Sequence, residues 1–172
     1  MKLLCACAAA MLTVIVVSAG QTAVDAKLDA QLRQLFPEAS TFSAKGGNPP
    51  HFKAFKPDSP STVAGVAFWT TDLDPLERGY DGPIKILVGL APNGTLTGVV
   101  VADHHEPYGS FSVDRPEFAA QFRGKRLTDA FRVGGDVDAV SRATLTVSSA
   151  ARAIRNSARR MARALPSPDT SR

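Results

Sequence analysis

Cysteine is almost absent from this 172-residue chain: Cys5 and Cys7 are the only two, and both lie in the apolar run that opens it. Met1-Lys2 gives a positive start, Leu3 to Val17 is apolar, and the small residues Ser18, Ala19 and Gly20 follow. This is the layout of a secretory signal peptide. The run is shorter than the roughly 20 residues that span a bilayer, so residues 1–19 read as a cleaved signal rather than an anchor. Val17 or Val24 at the −3 position allows cleavage after Ala19 or as late as Ala26. Both cysteines precede either site. The exported protein would therefore hold no disulfide, thiolate zinc site, iron–sulfur cluster or c-type haem.

Other signatures are missing too. The chain has no G-x-S-x-G elbow, no phosphate-binding G-x-x-x-x-G-K loop and no G-x-G-x-x-G after a strand, which leaves the common hydrolase and nucleotide-binding motifs without support. Histidine is scarce, at three residues. His104-His105-Glu106 offers adjacent donors, but neighbours on an extended chain point to opposite faces, so at most two converge and no metal site is expected. The formal net charge of +4 is mild and gives no reason to expect nucleic acid.

What remains has the size and composition of one globular domain. Asp25 to Phe36 spaces Ala26, Leu28, Leu32 and Leu35 as a short amphipathic helix. KGGNPP (45–50) and PDSPS (57–61) read as loops around a short strand, HFKAF (51–55). VAGVAFWTT (63–71) is β-like. PIKILVGLA (83–91) and TLTGVVVAD (95–103) flank Pro92-Asn93-Gly94 and predict a hairpin. After the loop 104–116, Glu117 to Phe122 reads as a short helix, and 124–138 as an irregular connection.

From about Leu145 to Leu165 the spacing predicts a long helix, which Pro166 and Pro168 end. Val147, Ala150, Ala151, Ile154, Ala158, Met161 and Leu165 form its apolar stripe, while Arg152, Arg155, Arg159 and Arg163 form a stripe that reads as a solvated face. The fold class expected is α+β: a single domain whose antiparallel-rich sheet is covered by this C-terminal helix, with residues 166–172 a disordered tail.

DAVSRATLTV (138–147) stands at the start of that helix. The plain reading is that Ser141 or Thr144 is an N-cap, worth about 1 kcal/mol. Capping leaves unexplained why Asp138, Ser141, Ala143-Thr144 and Thr146 cluster at one helix start, where free amides also suit a phosphate. Thr144 and Thr146 point about 200° apart on a helix, so only one can face a given cleft.

Asp138-x-x-Ser141-x-Ala143-Thr144 resembles the flavinylation motif of the FMN-binding domain family, found in NosR-type proteins and in flavoprotein subunits of Rnf and sodium-pumping NADH:quinone reductase complexes. GYDGPI (79–84), the two hairpin strands and His105-Glu106-Pro107 are similar to the family's upstream pattern. The last of these, with FWTTDL (68–73), looks most like the NosR-type branch. The likeness covers about residues 62–165, within a domain placed at 27–165, and concerns the flavin domain alone.

The resemblance implies FMN joined to Thr144 as a phosphoester, moved there from FAD by a flavin transferase, with Asp138, Ser141, Arg142 and Ala143 around the acceptor. It implies His105 and Glu106 near the flavin, and an aromatic bed drawn from Tyr80, Tyr108 and Phe111. The family usually has Gly where Arg142 stands, and an arginine there predicts a loop running through ordinary φ/ψ regions. The implied function is an exported electron-transfer flavoprotein, a redox carrier rather than a stand-alone enzyme, serving a membrane-bound redox partner protein outside the cytoplasm. The alternative is a cofactor-free extracytoplasmic binding or sensory module with the same fold.

Overall fold

A computed structural model describes residues 19–165. The signal peptide, with Cys5 and Cys7, and the 166–172 tail lie outside the described residues, apart from Ala19. The elements are α1 (Ala19–Leu35), β1 (Thr41–Phe42), β2 (Phe52–Lys56), β3 (Ser59–Trp69), α2 (Thr70–Leu73), β4 (Lys85–Leu90), β5 (Leu96–Asp103), α3 (Pro116–Ala120) and α4 (Thr144–Ala164), with a single 3₁₀ turn at Gly109–Phe111. The class is α+β, as the sequence predicts.

The strands form one five-stranded antiparallel meander in the order β1-β2-β3-β4-β5. Alternation along the strands sends residues to two cores. Phe68 pairs with Val88 and both face α4, whereas their neighbours Trp69 and Leu87, also paired, face α1. The second layer is α1, through Leu32, Leu35 and Phe36. With both faces covered, β4 reads as the nearly unbroken apolar run KILVGL rather than as an alternation.

The hairpin forms as predicted. Ala91 and Thr95 close it by a 2.9 Å bond, and Gly94, at φ 79°, supplies the left-handed residue that the turn needs. Both predicted boundaries of β3 fail. β3 already begins at Ser59, inside the stretch read as a loop, because Ser59 pairs with Lys56 in a tight β2–β3 connection. β3 also stops at Trp69, so that Thr70 and Thr71 open α2 instead of extending the strand. The Thr70 hydroxyl donates to Ile84 O and accepts from Ile86 N, both at 3.0 Å, which fastens the helix start to β4.

The arginine stripe of α4 is more than a solvated face. Arg152 forks onto the Glu77 carboxylate, Arg159 donates to the carbonyls of Leu127 and Asp129, and Arg160 donates to Leu73 O. Long guanidinium stems thus clamp the 73–77 and 127–129 segments to the helix.

Candidate functional site

The start of α4 is built by a turn. Ala143 N donates to Val140 O at 3.0 Å, closing Val140-Ser141-Arg142-Ala143 with Arg142 in the third position at φ 68°. A positive φ at that position is where glycine is favoured in a β-turn. The ordinary backbone expected for Arg142 is therefore wrong: the arginine adopts the left-handed geometry itself, at a cost of about 1 kcal/mol.

The capping expectation also fails. Ala143 is the N-cap, at φ −123°, and no side chain caps the helix. Thr144 is the first helical residue. Its hydroxyl is exposed and makes only a long 3.4 Å bond to Val140 O. Asp138, Ser141 and Arg142 are exposed with it, and Ala143 is buried. The motif thus presents its polar members outward on one surface, beside helix-start amides that no side chain occupies.

Thr146 faces the other way and is buried. Its hydroxyl donates to the carboxylate of Glu106, which is only 6% exposed. The same carboxylate accepts from Tyr80 N at 3.0 Å and Asp81 N at 2.9 Å, while Glu106 O accepts from Gly109 N. One side chain therefore joins the 79–82 loop, the 104–111 loop and the first turn of α4. Burial by itself pushes the Glu106 carboxyl up, but the Thr146 hydroxyl, the Asp81 and Tyr80 amides and the nearby His104 together hold it below the ordinary carboxylate value. Gly79 is required beside it, since a Cβ there would stand 2.3 Å from Glu106 Oε1.

The two histidines separate as expected of neighbours. His105 is exposed, whereas His104 is partly buried and fixed. His104 Nδ1 accepts from Glu106 N at 3.0 Å, so Nε2 carries the proton and donates to Asp114 at 2.8 Å. A Cβ on Gly109 would collide with this ring at 2.0 Å. The hub that His104, Glu106, Thr146 and Gly79 form together is not legible in the sequence. The available signal was that GYDG and HHEP are adjacent to strand ends that the hairpin brings to the same edge.

Three aromatic side chains around the Glu106 hub are exposed although apolar: Tyr80 at 73%, Tyr108 at 44% and Phe111 at 46%. Tyr108 and Phe111 lie together, with ring centroids 5.4 Å apart. Leu145, next to Thr144, is 51% exposed. These exposed apolar side chains lie on the two loops that Glu106 joins to the α4 start and beside Thr144 itself. A cavity of about 1020 Å³ lies elsewhere, on the α1 side of the sheet beside Phe42, Trp69 and Lys85, and none of the motif residues lines it. Among the described residues no cluster of three or more His, Cys, Asp or Glu could hold a metal ion.

Residues 79–159 match the family model described as FMN-binding domain. The chain is also similar to a subunit of the ion-translocating oxidoreductase complex of Vibrio vulnificus (strain YJ016), with 33% identity over 88 residues, covering 45% of this chain and 42% of that protein. The corresponding protein of Escherichia coli (strain K12) is 32% identical over 87 residues, covering 45% and 42%. That of Haemophilus influenzae is 47% identical over 47 residues, covering 27% and 21%. The matches thus span less than half the length of these relatives.

Proposed function

From the premise that residues 79–159 match the FMN-binding domain family, we propose that this protein is an exported electron-transfer flavoprotein carrying FMN as a phosphoester on Thr144. The observation that carries the proposal is the orientation of the motif. The Thr144 hydroxyl points to solvent at the first position of α4, while its neighbour Thr146 is buried and bonded to Glu106. An acceptor must be reachable by a modifying enzyme, and Thr144 is.

The residues fit the group. Bound FMN would supply one- and two-electron redox chemistry. The Thr144 oxygen would form the bond to the flavin phosphate as AMP leaves FAD and the hydroxyl gives up its proton. The uncapped first turn of α4 would hold a phosphate on Thr144 at the positive end of the helix dipole, an effect of about 0.3–1 kcal/mol. Leu145, Tyr108, Phe111 and Tyr80 offer exposed apolar surface for a ring system. Three of the roughly four acceptor positions of the buried Glu106 carboxylate are taken by protein donors, which supports a part in positioning the three segments beside the flavin. His105 remains exposed on the same loop.

A tether suits a protein outside the cytoplasm, where a lost cofactor is not readily replaced, and the signal-like residues 1–19 support that location. The reading includes a membrane-bound redox partner, and a NosR-like chain as the one served, on the strength of His105-Glu106-Pro107 and FWTTDL. The test is to express the chain with an FAD-dependent flavin transferase and view the denatured band under ultraviolet light. Fluorescence that survives denaturation, with an FMN mass increment on the peptide holding Thr144, is expected. A dark band would favour the cofactor-free module.

A further inference from the structure

Helix α4 carries five arginines and no acidic residue in TLTVSSAARAIRNSARRMARA. The carboxylates bordering its outer face are already engaged, Glu77 by Arg152 and Asp74 by Asn156. Among the described residues, Arg132, Arg155, Arg159, Arg160 and Arg163 form no ion pair. Arg159 and Arg160 spend donors on loop carbonyls, which leaves their charge uncompensated.

Two of these arginines line a shaped seat. A recess of about 300 Å³ lies between α4 and the 130–133 segment, lined by the unpaired Arg132 and Arg155, by Arg152, which is held by Glu77, and by Ser148, Phe131 and Val133. Ser148 is one helical turn from Thr144, about 6 Å along the axis. Planar guanidiniums lining a recess match a side-chain carboxylate, which they can grip in two-point fashion. A flat anionic membrane could touch the rim but could not fill the recess.

We infer that the arginine face of α4, centred on the Arg132–Arg152–Arg155 recess, is a docking surface for an acidic protein partner, which inserts a carboxylate there. The position goes beyond the flavin assignment but gains its meaning from it, because a partner held at Ser148 and Arg155 stands directly beside whatever Thr144 carries. Such contacts steer association and weaken as salt rises, since the Debye length falls from about 10 Å at 0.1 M.

The test uses the full mature chain and a fluorescein-labelled peptide of alternating Glu and Ala, followed by anisotropy at 50 mM and 300 mM salt. The Arg132→Gln/Arg155→Gln/Arg163→Gln triple variant removes three charges from the face without touching the Glu77 pair or the loop clamps. It should weaken binding about tenfold at low salt and flatten the salt dependence, while its melting temperature stays near that of the parent. The Lys27→Gln/Lys53→Gln/Lys56→Gln variant removes the same charge elsewhere and should bind within about twofold of the parent. Equal losses in both variants would reduce the effect to net charge and overturn the inference, as would unchanged binding in the first. Tight association with vesicles containing phosphatidylglycerol, but none with the peptide, would overturn it in favour of a lipid surface. The experiment needs no flavin, so it can fail while the Thr144 assignment stands, and the reverse.

Discussion

Glu106 and Thr146, forty positions apart in the chain, are joined by a buried hydrogen bond that fixes which threonine of the α4 start faces inward. With Thr146 held against the Glu106 carboxylate, Thr144 turns to solvent.

The two threonines should therefore respond differently to the same substitution. Thr144→Val is expected to abolish covalent flavin and to change stability by less than about 1 kcal/mol, because its hydroxyl makes only a long bond to Val140 O. Thr146→Val leaves the acceptor in place and should keep the flavin. It should cost about 1–3 kcal/mol by depriving a buried carboxylate of a donor. Mass spectrometry and denaturant unfolding of the pair read both effects. Flavin retained in Thr144→Val would disprove the assignment of the acceptor.

Glu106 makes the fold sensitive to acid. Its carboxyl titrates below the ordinary 4.5 in the folded protein, so the stability it contributes is complete above that value and is lost as pH falls through the lower folded one. Glu106→Gln should flatten the acid limb of the stability curve and, with an amide now facing two N–H donors, cost about 1–3 kcal/mol at neutral pH. A variant whose stability still falls as steeply between pH 5 and 3 as the parent's would show that another group governs that limb.

Asp136 adds a second acid-sensitive point. Burial pushes its carboxyl up, but the Arg132 amide, the Lys125 ammonium and the Phe131 amide overcome this and set it at about 2, against an ordinary 3.8. It accepts from the amide of Phe131, a buried residue held at φ 54°. Its contribution, roughly 1–2 kcal/mol after allowance for partial exposure, is present above about pH 4 and lost toward pH 2. Chemical unfolding of Asp136→Asn across that range should show a smaller pH dependence than the parent, and an unchanged one would count against this role.

Arg142→Gly replaces the strained residue by the one for which φ 68° is free of steric cost. Relief of the strain is partly offset by the added freedom of the unfolded chain, so a gain of about 0.5 kcal/mol is expected, with flavin yield undiminished. A loss of stability would mean that the Arg142 side chain contributes more than its backbone costs.

Much of the protein was legible locally. The Pro92-Asn93-Gly94 hairpin, the apolar stripe of α4 and the α+β class all follow from short-range spacing, because turn chemistry and periodicity act between residues a few positions apart, whereas the candidate acceptor rests on the motif's resemblance to a family. Tertiary structure decided the rest. Only the packing of α1 shows that both sheet faces are covered. Only the meeting of the 79–82 loop, the 104–111 loop and α4 shows that Gly79, Glu106 and Thr146 form one hub. The left-handed Arg142 and the clamping arginines were misread for the same reason. A backbone angle is chosen by the turn the fold must close, and a guanidinium finds its carbonyls on segments that are distant in sequence and adjacent only after folding.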